Sequence, residues 1–199
     1  MNTSEIIAHY DLLIEENNDP ARDPEPLRRH MDKWDGQPFI EKMHLDNAKS
    51  VLEIGVGTGR LALRTAPLCH SFTGIDLSPK TIERAKENLS QLPNITLINA
   101  DFTAHDFSCK FDVIYSSLTF MHIPDKQAAI TKISTLLNTN GTFLLSIDKN
   151  QSDFIDTGTS KLKIYPDTPS EILSCLNNAR LTLTEQCETD FAIMFSAIK

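Results

Sequence analysis

Apolar residues are spaced in two different ways along this chain, and the change falls near Ser50. Before it, Ile6, Ile7, Tyr10, Leu13 and Ile14 recur at helical intervals behind a candidate cap at Thr3 or Ser4, which predicts an opening amphipathic helix. Pro20, Pro24 and Pro26 then interrupt the pattern in a charged setting. A surface loop is expected there, followed by short helices over Leu27 to Met31 and Phe39 to Leu45. After Ser50, short runs rich in β-branched and aromatic residues alternate with helical patterns: Val51 to Ile54, Ser71 to Ile75, Ile95 to Ala100, Val113 to Ser116 and Thr142 to Ile147. That alternation predicts βαβ units and a parallel sheet, with helices filling the gaps.

Local signals fix some boundaries. Ser78 before Pro79 suits an N-cap and a first helical turn, so Pro79 to Leu89 reads as a crossover helix. Asp125 caps a helix ending near Leu137, and Asn140-Gly141 tolerates the left-handed turn that would feed the fifth strand. A helix from Pro169 to Ala179 precedes two runs, Leu181 to Cys187 and Phe191 to Ile198, which flank a polar link and predict an antiparallel hairpin. The fold class is therefore α/β: a doubly wound, mostly parallel sheet with an antiparallel C-terminal strand, flanked by helices. The 199 residues are expected to form one domain, with residues 1–48 as a helical cap and 49–199 as the core.

Composition narrows the partners. With 19 basic against 27 acidic residues, the net charge of -8 argues against a general grip on nucleic-acid phosphates, although it leaves a local basic patch open. Cys69, Cys109, Cys175 and Cys187 show no C-x-x-C pair and no nearby histidines, so buried free thiols are expected and no metal site is. Glu5, His9 and Asp11 break any signal-peptide core, and no apolar run approaches membrane-spanning length. A cytoplasmic monomer or homodimer is the expectation, with no nucleic-acid or membrane partner.

The most informative segment runs Val51-Leu-Glu-Ile-Gly-Val-Gly-Thr-Gly-Arg60. Glycines at alternate positions permit a sharp turn and leave no Cβ where a ligand must press close. A dinucleotide fingerprint asks for glycine or alanine at the sixth position counted from Gly55, where this chain has Arg60. A P-loop would need Gly-Lys-Ser or Gly-Lys-Thr, and none follows.

The segment resembles motif I of class I S-adenosylmethionine-dependent methyltransferases, in which an acidic residue at the end of the first strand precedes a G-x-G-x-G loop. Glu53, Gly55, Gly57 and Gly59 match it, and the resemblance runs from residue 50 to about residue 148. It implies a Rossmann-like core that binds S-adenosylmethionine. Asp76, in Gly74-Ile-Asp-Leu-Ser-Pro79, would take both ribose hydroxyls, because a carboxylate accepts two hydrogen bonds at once. Leu77 would lie against the adenine. In Asn99-Ala-Asp-Phe102, Asp101 would accept from the exocyclic amine and Phe102 would offer its backbone N–H. Ser117, in the motif IV-like strand from Phe111, is the expected contact to the methionine portion, through its backbone. In related small methyltransferases an N-terminal helix closes over the cofactor, which would bring Tyr10 to it.

Methyl transfer is an in-line displacement at carbon, so the protein supplies alignment, desolvation and sometimes a base. His122 is the candidate catalytic residue, able to take a proton from an oxygen or nitrogen acceptor. Two other readings stay open: a non-catalytic cofactor-binding or scaffold protein with the same fold, and an NAD-dependent oxidoreductase, against which Arg60 and Asp101 both speak. The chain has no Asn-Pro-Pro-Tyr or Asp-Pro-Pro-Tyr run and no Pro-Cys nucleophile, so a small-molecule methyl acceptor is expected by elimination. The cap and residues 149–167 should shape its pocket; Lys161, Lys163 and Tyr165 read as a solvated edge, with contact to an anionic or aromatic substrate as the alternative. Trp34 and Phe39 read as anchors for the cap.

Overall fold

In the computed structural model, which describes residues 3–156 and 161–199, three helices lead the chain: α1 (Thr3–Glu15), α2 (Glu25–Asp35) and α3 (Gln37–Glu41). Pro24 and Pro26 bracket the start of α2, where a missing N–H costs nothing, so this helix begins two residues before its predicted start; it also runs four residues beyond its predicted end. The core then follows as β1 (Ser50–Ile54), α4 (Ala62–Thr65), β2 (Ser71–Asp76), α5 (Pro79–Asn88), β3 (Ile95–Asn99) and β4 (Phe111–Ser117). After these come α6 (Lys126–Leu136), β5 (Leu137–Asp148), a small hairpin of β6 (Phe154–Asp156) and β7 (Lys161–Lys163), α7 (Pro169–Asn178), β8 (Thr182–Glu188) and β9 (Ala192–Ile198).

Seven strands form one sheet in the order β3-β2-β1-β4-β5-β9-β8. The first five run parallel, while β9 pairs antiparallel with both β5 and β8. The C-terminal strand is thus the reversed one, inserted second from the edge. Alternation of side chains sorts each strand onto two cores. Leu52, Ile54 and Ile114 face the layer holding α6 and α7, where Ile130, Ile133 and Ile172 are fully buried. Val51, Val113 and Tyr115 face the opposite layer with Phe39, Met43 and Ile82. Each such large apolar side chain contributes about 1.5–3 kcal/mol on burial.

Two expectations are corrected, and one expected helix proves short. Helices do not fill every gap: residues 100–110 between β3 and β4 hold none, because Asp101 accepts from Thr103 N and Oγ1 in a tight turn while Phe102 and Phe107 drop onto the core. After β1 the helix is only one turn long before Pro67 tightens it into a 3-10 turn. Asn140-Gly141 does not precede the fifth strand but lies within β5, where Asn140 has φ 63 and the register against β4 shifts between Phe111 and Val113. The cysteines divide: Cys69 and Cys175 are buried, Cys109 is exposed and Cys187 is half-buried.

No helix among the described residues is long and apolar enough to cross a membrane. No group of metal-ligating side chains occurs among them either.

Candidate active site

Strand order reverses at β1, since β2 and β3 build to one side of it and β4 and β5 to the other. Chain connections leave in opposite directions at such a point, and a crevice opens beyond the carboxyl ends of the strands. Here it is a cavity of about 420 Å³, within the size range of small-ligand pockets. The tips of β1, β2 and β4 reach it, as do the turn after β3 and the cap.

The three glycines of the β1 loop have three different neighbours. A Cβ on Gly55 would stand 2.0 Å from Thr119 Oγ1, and one on Gly59 would stand 2.9 Å from Leu89 on the turn after α5. Those two are small so that the protein can pack on itself. Gly57, at φ +55, has nothing within 4 Å of that position and lines the cavity. It is the position where the missing side chain leaves room for a ligand.

Asp76 ends β2 beside this loop. Its Oδ2 accepts from Gly57 N and its Oδ1 from Ser78 N, both at 3.0 Å. Burial raises its pKa, and the bonds from Ser78 and Gly57 oppose that rise. An ionised carboxylate has about four acceptor positions, so room for hydroxyl donors is left. Leu77 follows Asp76 along the cavity wall. Beyond β3, Asp101, Phe102 and Thr103 line the same space. Asp101 Oδ1 is held by Thr103, leaving Oδ2 with no partner among the described residues. Asp76 and Asp101 therefore face one cavity with the Gly55 loop.

The cap closes the cavity through α1, whose Thr3, Ile6 and Tyr10 line it. Asp11 Oδ1 accepts from Ser78 Oγ at 2.6 Å, which pins α1 to the start of α5. Tyr10 Oη lies 2.7 Å from His122 Nε2 on a 3-10 turn after β4. Burial, with the positive charge of His9 and Lys126, lowers the His122 pKa to about 4. Burial raises that of the Tyr10 phenol, with the Asp76 charge adding to it. The imidazole is neutral near pH 7, so the phenol donates and Nε2 accepts. His122 Nδ1 is buried without a hydrogen-bond partner among the described residues.

Ser117 and Tyr165 complete the wall. The Ser117 carbonyl accepts from Thr119 Oγ1 at 3.1 Å, and its hydroxyl donates to Asp35 Oδ2 at 2.6 Å. Asp35, fully buried at the end of α2, also pairs with Arg60. Tyr165 is held by a second buried ion pair: Lys126 Nζ lies 2.7 Å from Asp167 Oδ1 and donates to the carbonyls of Phe120 and Tyr165.

Two predicted site residues lie elsewhere. Gly59 packs against Leu89, as above. Glu53 points into the core under the loop, on the same sheet face as Tyr115, whose hydroxyl donates to its Oε2 at 2.9 Å. Burial pushes the Glu53 pKa well up, against the Tyr115 bond and the Arg60 charge. Sequence reasoning missed Asp35, Thr119 and the Lys126–Asp167 pair, each defined by a partner far along the chain. Trp34 does anchor the cap: its Nε1 donates to Asp148 Oδ2 at 3.1 Å, and its ring stacks on Phe191. Lys161 and Lys163 stay outside the cavity, Lys161 lying over the Phe154 ring.

Comparison with known proteins agrees with this geometry. Residues 45–188 match a family model described as a methyltransferase domain. An uncharacterized methyltransferase of Anoxybacillus flavithermus is 33% identical, over 86% of this chain and 88% of its own. One from Schizosaccharomyces pombe is 25% identical, over 92% of this chain and 72% of its own. A malonyl-[acyl-carrier protein] O-methyltransferase of Ilyobacter polytropus is 32% identical, but the alignment spans only 53% of this chain and 40% of that enzyme. Among solved structures, magnesium protoporphyrin IX methyltransferase from Synechocystis with bound SAM superposes with a TM-score of 0.78 at 14% identity, over 99% of this chain and 96% of that one. The [4+2]-cyclase SpnF gives 0.80 at 15%, over 100% and 97%; at such identities the likeness speaks for the fold alone. The chain belongs to the methyltransferase-domain family and is a class I S-adenosylmethionine-dependent methyltransferase.

Proposed function

We propose that this enzyme methylates a small molecule, and that the cavity under α1 holds both the cofactor and the acceptor's reacting atom. One observation carries the reading: the open face of Gly57, the Asp76 and Asp101 carboxylates and the Tyr10–His122 pair all meet in the same 420 Å³ space. Gly57 and Asp76 would hold the ribose side of S-adenosylmethionine, Leu77, Asp101 and Phe102 the adenine, and Ser117 the methionine portion. When bound, the cofactor supplies a methyl carbon activated by a sulfonium. The protein's own part is then to orient, to exclude water and to manage one proton.

His122 suits that last task, since an imidazole that is neutral at pH 7 can accept a proton. Its lowered pKa makes it a weak base, matched to an acceptor whose proton leaves as the new bond to carbon forms. Tyr10, hydrogen-bonded to Nε2, either relays that proton or gives way to the acceptor's own hydroxyl or amine. Among the described residues the charged side chains lining the cavity are the Asp76 and Asp101 carboxylates, which disfavour an anionic reacting end on the acceptor. Thr3, Ile6, Tyr10, Pro20 and Met31 of the cap cover this site and the strand tips of the core form it, as one catalytic unit.

A relative from Bacteroides fragilis, 27% identical over 61% of this chain, is a tRNA1(Val) (adenine(37)-N6)-methyltransferase. The net charge of -8 and the lack of an Asn-Pro-Pro-Tyr run favour a small molecule over such an acceptor. Incubation with methyl-labelled S-adenosylmethionine and a cell extract split by ultrafiltration tests the point. Label is expected in the filtrate compounds; label confined to the retained RNA or protein would overturn the small-molecule reading.

A further inference from the structure

Along α2, Glu25, Arg28, Arg29 and Asp32 are three and four residues apart, and Arg60, Leu63 and Arg64 repeat that spacing into α4. Such steps put side chains on one helical face. The two faces meet across a second cavity of about 280 Å³, lined by all four of these arginines. The chain has only seven arginines and a net charge of -8, so this cleft runs against the general field of the molecule.

The pairs already formed leave the cleft under-compensated. Arg64 Nη1 lies 2.7 Å from Asp32 Oδ1, and Arg29 pairs with Glu25 one turn away. Arg60 is taken by the buried Asp35, yet its Nη1 has no hydrogen-bond partner among the described residues and stands 3.9 Å from Asp32. The Arg28 guanidinium has no carboxylate partner among them. The Arg29 and Arg64 pairs are exposed or half-exposed, and pairs in water hold weakly. Their forks can turn to an oxyanion that accepts two bonds from each.

Place adds to charge. Pro20 and Met31 line the first cavity, whereas Ala21, Arg28 and Asp32 line this one. The stretch from Pro20 to Asp32 is therefore the partition between them.

We propose that the α2–α4 cleft is a binding site for a phosphate-type anion, free or carried on an organic molecule. Several guanidinium planes around one space suit a tetrahedral, multiply charged group better than a single carboxylate. The site stands apart from the methyl-transfer reading, because no cavity-lining residue of the first site takes part.

Calorimetry in low-salt chloride buffer tests it, with inorganic phosphate, pyrophosphate and phenyl phosphate titrated into the wild type and into Arg28→Ala and Arg64→Gln. Saturable binding is expected, pyrophosphate tighter than phosphate. Each variant should lose about tenfold or more, as for a lost charge-assisted bond, while S-adenosylhomocysteine affinity stays within about twofold. Phenyl phosphate binding tighter than phosphate would assign the site to a carbon-borne phosphate, with Leu63 beneath the ring; the reverse order would assign it to the free anion. Arg28 has no hydrogen-bond or ion-pair partner among the described residues, so its removal breaks no such bond of the fold. Absence of saturable binding, or equal binding by Arg28→Ala and the wild type, overturns the proposal.

Discussion

The hydroxyl of Tyr10 and Nε2 of His122 are 2.7 Å apart although 112 residues separate them in sequence. Through this bond the N-terminal helix reaches across the cavity to the turn after β4. Because the imidazole is buried and neutral, the bond clasps the cap and, on the mechanism proposed above, is also the resting state of the base. Tyr10→Phe and His122→Gln should each lower turnover of S-adenosylmethionine in the acceptor mixture about a hundredfold or more, the usual scale for a lost proton-transfer group. Affinity for S-adenosylhomocysteine should change far less. Equal losses in both quantities would assign the pair to cofactor binding instead.

The same histidine sets a pH dependence. Its folded pKa of about 4 lies below the ordinary 6.5, so between these values the unfolded chain takes up a proton that the folded chain refuses. The stability due to neutral His122 is complete above about pH 6.5 and is lost as pH falls towards 4. Asp76 and Glu53, raised by burial, work in the opposite sense as pH falls. The informative measurement is therefore the difference in denaturation midpoint between wild type and His122→Gln from pH 4 to pH 8. The wild type should lose ground to the variant on the acid side; a constant difference would contradict the burial argument.

Alanine at the glycines should separate packing from ligand space. Gly55→Ala drives a methyl into Thr119 at 2.0 Å and should be the most destabilising of the three, followed by Gly59→Ala against Leu89. Gly57→Ala meets open space, so its cost should stay near the roughly 1 kcal/mol of a strained backbone. Its methyl should instead weaken S-adenosylhomocysteine binding. Thermal unfolding and calorimetry on the three variants give both readouts.

Lys126→Met leaves Asp167 buried without its counter-charge. A broken buried pair costs about 3–5 kcal/mol, and the carbonyls of Phe120 and Tyr165 lose their donor as well. Denaturant unfolding should show a loss of that size, and Lys126→Met with Asp167→Leu should recover much of it.

The seven strands of the main sheet, the crossover helices after β2 and β4, and the acids at the tips of β2 and β3 were legible because each is written in local spacing: apolar runs, Ser78-Pro79, Asp125, and Gly55 to Gly59; the short β6–β7 hairpin was not. Glu53 lies under the loop and outside the cavity lining for a reason equally local. Its position on β1 turns its side chain to the face of Tyr115, and a loop motif says nothing of which face the preceding acid takes. The stretch from Ala100 to Lys110 read as a place for a helix only because a gap between strands usually holds one; the closeness of Phe102 and Phe107 to the core decided otherwise. Asp35 with Arg60, and Lys126 with Asp167, stayed hidden because buried charges declare themselves only through partners brought together by the fold.

Asp76 and the open face of Gly57 are the proposed hold on the cofactor. Titration calorimetry of S-adenosylhomocysteine into wild type and Asp76→Ala tests it most directly. One site per chain is expected in the wild type, with a loss of about 1.5–3 kcal/mol in the variant, as for hydrogen bonds to a charged group. No binding to the folded wild type, or the same affinity in both proteins, would contradict it.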